Sequence, residues 1–485
     1  MVHSSFMIHS GMIDAIPVSY PILYEIKLEK ANFFLLWRLP ASRCLRYDAN
    51  RSTREKELPM QRYHEPAQDI LQQPPSDVLV LGAGPAGVAA AVWAARSGAS
   101  TRLIERSGDA GGMATIGLMS HWTGSTQGGF YQELLERSHP DGSRTNLIDP
   151  ERLKTVLLDL LQEAGVDLQL YTLASRPIME GRRITGVVAE SKSGREALPA
   201  RVVVDATGDG DIAALAGVPY VKGREQDGKM QPMTLMFKIG GVDTARAVFP
   251  GSFEETAQVP AGEIQALARA HLPYPAGHVL LYPSTLPGIV TCNMTNCIDV
   301  DGTKARDLTR AQAACRRQMD VICDFLKTYV PGYENSYIVS SASLIGVRET
   351  RHFKGDYTLT ENDILKARVF DDWAVTRAHF NFDVHNLTGP GLDATGVQRG
   401  FAQQNGYTIP YRCFLPQGAD GLLLAGRNIS GTHLAHANYR VMPICANMGQ
   451  AVGIAAALSV RRAVMPRNID VRELQRLLLE AGVAP

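Results

Sequence analysis

The stretch "DVLVLGAGPAGVAAAVWAARSGASTRLIER" occupies residues 77–106. Residues 78–81 are a continuous apolar run that ends at a glycine turn, the pattern of a parallel strand buried on both faces. Gly82, Gly84 and Gly87 follow in the spacing G-x-G-x-x-G. The first glycine permits a tight turn, the second lets backbone approach a pyrophosphate, and the third lets the next helix pack close to the strand. A helix is predicted over residues 85–97, with Pro85 and Ala86 in its first turn and its free N–H groups facing the phosphates. Residues 101–104 read as a second strand. Glu105 ends it, where an acid accepts hydrogen bonds from an adenosine ribose. The unit predicts a dinucleotide site. Nicotinamide and flavin dinucleotides share the adenosine and pyrophosphate that it reads, so the motif alone leaves the choice open.

The chain has 485 residues, 45% hydrophobic and 20% charged, with formal net charge zero. That is enough to bury a sizeable core and suits two domains better than one. A neutral balance argues against a nucleic-acid partner, which needs a phosphate-neutralising surface. No apolar run approaches ~18 residues, so no membrane span is expected. Seven cysteines in so long a chain predict reduced thiols and a cytoplasmic setting. Residues 1–75 differ from the rest and lack the pattern of a secretory signal. Arg54-Glu55-Lys56-Glu57, residues commonly encoded by purine-rich codons, stand just before Met60. They raise the expectation that Met60 is the natural start, the alternative being a genuine but poorly ordered extension.

Four further features separate the dinucleotides. A second glycine pair, Gly111-Gly112, stands just past Glu105 and precedes Met113 and Ala114. A flavin, whose ribityl chain continues past the pyrophosphate, needs that second backbone approach; a nicotinamide fold does not. Asp149 is a good N-cap and Pro150 suits the first helical position. Leu153, Val156, Leu157, Leu160 and Leu161 recur at helical spacing up to Gly165, and residues 166–173 read as a returning strand. "RVVVDATGDGD", residues 201–211, runs a buried strand into small residues that again allow close ligand approach. Residues 422–425 are another buried strand ending at Gly426-Arg427, and Pro443 opens an apolar helix to about residue 459.

With "ERSGDAGGMAT", "VVVDATGDGDIAALAGVP", "IGVRETRHFKGDYTLTENDI" and "GQAVGIAAAL", the chain resembles bacterial FAD-dependent oxidoreductases with a glutathione-reductase-like flavin fold. It is more distantly similar to fumarate reductase and succinate dehydrogenase flavoproteins. The resemblance implies FAD, and an α/β fold: a three-layer, Rossmann-like FAD domain with an inserted α+β substrate domain. Residues 76–216 and 420–485 would form the FAD domain and residues 217–419 the substrate domain. It places Gly82, Gly84 and Gly87 at the pyrophosphate, Glu105 at the ribose, and Arg106, Gly111, Gly112 and Met113 along the ribityl side. Ala206, Gly208 and Asp209 would lie behind the dinucleotide, Gly426 and Arg427 beside the ribityl-pyrophosphate, and Leu173 and Ala174 at the adenine. The helix carrying Met442 and Ile444 would point its positive end at the flavin pyrimidine edge, where reduced flavin carries negative charge.

Disulfide chemistry is not expected. The stretch "GGMATIGLMSHW" holds no cysteine. Cys292 and Cys297 read as buried thiols, because residues five apart on a strand point to opposite faces. Cys315 and Cys323 read as helix core. No spacing suggests a metal site. Fumarate reductases carry a similar "SHT…QGG" stretch whose histidine bonds FAD covalently. His121, in "MSHWTGSTQGG", lies further from Glu105, so an ordinary histidine and non-covalent FAD are expected. There is no second G-x-G-x-x-G, so the electron acceptor or donor (NAD(P)H, oxygen, a quinone or a carrier protein) stays open.

A small-molecule substrate is expected between the domains. "TLMFKIGGV", "HVLLYPS" and "GIVTCNMT" read as strands of a separate sheet. Arg348, Glu349 and Arg351 cluster in "GVRETRHF", where a structural ion-pair network is the competing reading. His433, His436 and Arg440 fall in "THLAHANYR", on one face if helical. A histidine there would take a proton from substrate while hydride passes to flavin N5, and an arginine would hold a carboxylate or developing charge. His379 and His385 are secondary candidates, with Tyr407, Tyr411 and Arg412. Asn293 and Thr295 either line the cavity or bond within their strand. The reading is an FAD-dependent oxidoreductase. Its rivals are an ene-reductase running in the opposite direction, a non-catalytic flavin sensor or assembly protein, and a nicotinamide dehydrogenase.

Overall fold

Five parallel strands set the frame. Their order across the sheet is Asp167–Gln169, Thr101–Ile104, Ser76–Leu81, Gly194–Asp205 and Leu422–Leu424. Val78 to Leu81 and Val203 to Val204 are fully buried, as continuous apolar runs in a covered parallel sheet must be. The Gly194–Asp205 strand is long enough to serve two sheets. Its second half joins the parallel sheet; its first half pairs antiparallel with Arg183–Ser191, which pairs in turn with Leu173–Glu180. The computed structural model describes residues 63–139, 141–143, 145–393 and 406–484. The chain divides into two units, Met1–Gln68 and Asp69–Pro485. The described residues of the first, 63–68, form no helix or strand, and the expected start at Met60 lies outside the described residues.

The helix Pro85–Arg96 packs directly on the helix Met442–Arg462. A Cβ at Gly449 would sit 2.0 Å from the Ala86 carbonyl oxygen, and one at Gly453 2.3 Å from that of Ala90. These two glycines, one turn apart, let the backbones touch. Met442–Arg462 is long and apolar enough to cross a membrane by length and composition, contrary to the expectation that no such run exists. Its most apolar window is 94% buried within the protein, as in a core helix. Asp149 caps the helix Pro150–Glu163 by accepting from the N–H groups of Glu151 and Arg152, as its sequence predicts.

The return strand differs from expectation. Residues 166–173 do not run straight: Tyr171 has φ +54°, and its N–H bonds Ser107 O while that of Thr172 bonds Glu105 O. The chain turns out of the parallel sheet there and restarts as Leu173–Glu180.

A second core belongs to an antiparallel sheet in the order Leu281–Pro283, Val290–Cys292, Phe237–Gly240, Tyr337–Ser341. The helix Ala305–Tyr329 buries Ala311, Cys315, Met319, Ile322 and Leu326 in that core, one stripe at helical spacing. This core draws on residues 233–345. Phe353, Ile364, Phe370, Val375, Tyr407 and Phe414 pack into the first core instead. The expected substrate domain, drawn to residue 419, is therefore larger than the second core. Cys292 and Cys297 are buried free thiols, as are Cys315 and Cys323.

Candidate active site

The carboxyl ends of the parallel strands open onto a cavity of about 610 Å³, within the size range of cofactor and substrate sites. From the first strand and its helix come Gly82, Gly84, Pro85 and Ala86. Glu105, Arg106, Gly112 and Met113 follow the second, and Ala206, Gly208 and Asp209 the long strand. Gly426, Arg427 and Met442 complete this wall. The glycines divide by role. A Cβ on Gly87 would lie 1.8 Å from Gly82 O, so this residue packs helix on strand and does not line the cavity. A Cβ on Gly84 would meet no protein atom within 4 Å. It would project into space the protein leaves for something else.

Glu105 joins this wall to itself. Its Oε2 accepts the Ala83 N–H at 2.7 Å, and its Oε1 accepts the N–H and hydroxyl of Ser107, both at 2.8 Å. Arg427 lies over Gly208 and donates Nη2–H to Asp209 Oδ1 at 2.6 Å, while its Nε is buried without a partner. Beneath them Asp205 is fully buried and accepts from Thr207 and Ala213; burial pushes its carboxyl up to about 6. An open Gly84, a second glycine approach at Gly112 and the Arg427 guanidinium on the same wall fit an anionic dinucleotide. Gly111 and Ala114 support the turn from behind, Gly111 N–H bonding Ala83 O at 2.7 Å, and Ile444 is buried in the helix core. Leu173 and Ala174 lie outside the cavity lining, with Leu173 half-exposed.

The facing wall comes from the second sheet and the segments after it. Thr234, Met236 and Asn293 line it with Arg348, Asp383, His385 and Arg440. Arg440 Nη2 donates to Asp383 Oδ2 at 2.9 Å, and His385 Nε2 lies 3.4 Å from the same oxygen. Burial alone would raise the Asp383 carboxyl, but His385, Arg440 and Arg348 hold it well below the usual range. Burial and the Arg348 charge push His385 down to about 4, so its imidazole is neutral near pH 7. Among the described residues Arg348 has no carboxylate within ion-pair distance, although the Asp383 charge is felt there. Its Nη1 donates to Pro232 O at 2.6 Å and Thr234 Oγ1 at 2.8 Å. Burial and Arg440 lower it to about 10, which leaves it charged at neutral pH.

His433 and His436 depart from the expected arrangement. Both sit on the helix His433–Tyr439 but outside the cavity lining, at 4% and 1% exposure. His433 Nδ1 lies 2.5 Å from Glu349 Oε1, and the His436 ring meets the His352 ring edge-on at 4.7 Å. Arg440, at the helix end, shares their face by spacing, but its side chain turns to Asp383 while the histidines turn to Glu349 and His352. Glu349 points the same way as the histidines, away from its neighbour Arg348. Arg351 joins the other wall, donating to Asp209 O at 2.8 Å and Asp211 Oδ1 at 2.9 Å.

The remaining candidates lie elsewhere. His121 contacts Ser120 Oγ at 2.8 Å and the Tyr282 ring, and does not line the cavity. His379 is outside it too. Tyr407 bonds Asn438, Tyr411 bonds Pro466 O, and Arg412 pairs with Asp372. Thr295 bonds the Leu235 backbone, whereas Asn293 faces the cavity with a buried, unpartnered Oδ1. Asp383 was not singled out from sequence, although it stands two residues before His385.

Residues 77–478 match the family described as FAD dependent oxidoreductase. Digeranylgeranylglycerophospholipid reductase 1 of Methanopyrus kandleri is 30% identical over 159 residues, 29% of this chain and 42% of that protein. The chain thus matches less than half the length of that relative. Among solved structures, a geranylgeranyl bacteriochlorophyll reductase-like protein from Thermoplasma acidophilum aligns with a TM-score of 0.42 at 14% identity, over 84% of each chain. The OxyS anhydrotetracycline hydroxylase from Streptomyces rimosus aligns with a TM-score of 0.42 at 11% identity, over 80% of this chain and 63% of that one. The family match spans both the strand–glycine–helix unit and the facing wall, and the chain belongs to the FAD-dependent oxidoreductase family.

Proposed function

We propose that the protein acts on a small organic acid, with hydride passing between a substrate carbon and the flavin. One observation carries this reading: the unpaired Arg348 guanidinium and the neutral His385 imidazole share a wall opposite the glycine cradle. Gly82, Gly84, Glu105, Gly112 and Arg427 would hold FAD, and the N-terminus of Met442–Arg462 would face it. When bound, FAD supplies the hydride acceptor or donor.

The protein residues do the rest. Arg440 is neutralised by Asp383, so Arg348 leaves the facing wall with one net positive charge. That favours a substrate carboxylate, which a guanidinium binds through two parallel hydrogen bonds. His385 takes the proton of a substrate hydroxyl or amine; its depressed pKa keeps it unprotonated and ready. Asp383 fixes the His385 ring from Nε2. The base role moves from His433 and His436, which do not line the cavity, to His385.

The test is an anaerobic screen of the flavin-loaded protein against 2-hydroxy and 2-amino acids beside their amides. Bleaching by an acid and not by its amide supports the reading; bleaching by neutral compounds alone sinks it. The lowered pKa of Arg348 also suits a proton donor, which favours the reverse reaction on an unsaturated acid. Reoxidation of a reduced dye by unsaturated acids, without bleaching by saturated ones, would select that direction.

A further inference from the structure

We infer that Glu349, His352 and His436 form a binding site for a divalent transition-metal ion of zinc or iron(II) type, buried behind the substrate wall. Their ligand atoms all lie within 4.8 Å of one another. Bonds of ~2.1 Å allow ligands up to ~4.2 Å apart, so small side-chain rotations close the set. Two imidazoles and one carboxylate are the donor set of borderline first-row metals.

The hydrogen bonding in the cluster is incomplete without an ion. Glu349 Oε1 lies 2.8 Å from His352 Nε2 and 2.5 Å from His433 Nδ1, and Oε2 accepts the Gln231 N–H at 3.0 Å. Yet His436 Nδ1, His352 Nδ1 and His433 Nε2 are all buried without a partner. Unpaired polar atoms at this depth are rare and costly. The His436 nitrogen belongs to the ligand set, and its lack of a partner beside a carboxylate whose ion-pair partners among the described residues are histidines alone points to a missing cation. His433 and the Gln231 N–H then orient the carboxylate from outside the coordination shell.

The ligands also have a place in the fold. Glu349 follows Arg348 in the chain, and Arg440 caps the helix that carries His436. A metal here would tie together the two segments that deliver the cavity arginines. The spacing Glu-x-x-His at 349–352 and His-x-x-His at 433–436 hid this from sequence, because the halves are far apart in the chain. The inference does not depend on the substrate reading.

The test is elemental analysis of untagged, flavin-loaded protein, produced with zinc and iron in the medium and desalted over a weak chelator. One zinc or iron per chain is expected. Glu349→Gln and His436→Gln should lower metal affinity ~10–100-fold while flavin content holds. Wild-type protein with full flavin and no bound metal would overturn the proposal, as would unchanged metal in both folded variants. If the variants do not fold, cobalt-grown wild-type protein decides. Ligand-field bands to the red of the flavin absorption support the site; their absence from flavin-loaded protein overturns it.

Discussion

Arg427 Nη2 lies 2.6 Å from Asp209 Oδ1, and the pair spans the carboxyl ends of two neighbouring parallel strands. Leu424 is in register with Asp205, so Gly426-Arg427 and Gly208-Asp209 emerge side by side. The pair is partly buried and lines the cavity beneath the glycine loop. It holds a guanidinium in place before any ligand arrives.

Replacing that guanidinium should weaken FAD binding more than it weakens the fold. Arg427→Gln should raise the flavin Kd ~10–100-fold, as loss of a charge-assisted hydrogen bond does. Titration of flavin-stripped protein with FAD measures it. An unchanged Kd would place the dinucleotide elsewhere.

Gly84 and Gly87, three residues apart, should fail in opposite ways. Gly84→Val projects into the open cradle, so the chain should fold with near-normal urea stability and hold little flavin. Gly87→Ala forces a Cβ against Gly82 O and should cost on the order of 3 kcal/mol of stability. Equilibrium unfolding and flavin content, measured on both variants, separate the two effects.

Arg348→Gln should raise KM for the acid substrate ~10–100-fold, with flavin content unchanged. Arg348→Lys should recover part of the loss, because it keeps charge but not the planar pair of donors. Steady-state kinetics on an acid and its amide check this. Equal losses on both compounds would remove Arg348 from the carboxylate.

His385 sets a pH dependence whose sign follows from its burial. Its pKa falls from 6.5 to about 4 on folding. Between those values the unfolded chain binds the extra proton, so stability is full above about 6.5, declines as pH falls towards 4, and then levels off. Asp205, raised to about 6, acts in the opposite sense: its contribution shrinks as pH rises from 3.8 to about 6. His385→Asn should therefore flatten the acid decline, by an amount on the order of 3 kcal/mol at most. Urea midpoints at pH 4.5 to 7.5 provide the measurement, and an unchanged slope would show that His385 is not buried neutral.

The parallel sheet was legible because its strands are covered on both faces. Val78 to Leu81 and Val202 to Val204 have to be continuous apolar runs, and their glycine ends have to be small. The helix Pro150–Glu163 carries its own start signal in Asp149 and Pro150. Where direction depends on a distant partner, sequence gave less. His433 turns towards Glu349, 84 residues earlier in the chain, and Arg440 towards Asp383, 57 residues earlier. Helical spacing puts such residues near one another but does not say which neighbour each will meet. The strand over residues 166–173 failed because Tyr171 adopts a left-handed conformation to follow the Glu105 loop, which no local propensity favours. The second core ends near residue 345 because the later aromatic residues, Phe353 to Phe414, complete the first core from a distance.

FAD would sit in the cavity between Gly84 and His385 without a covalent bond. The most direct measurement is the visible spectrum of the purified protein, repeated on supernatant and pellet after acid precipitation. A flavin spectrum released into the supernatant is expected, as is its loss in Gly84→Val. A colourless protein that takes up no added FAD would contradict it, and colour held in the pellet would contradict the non-covalent attachment and return attention to His121.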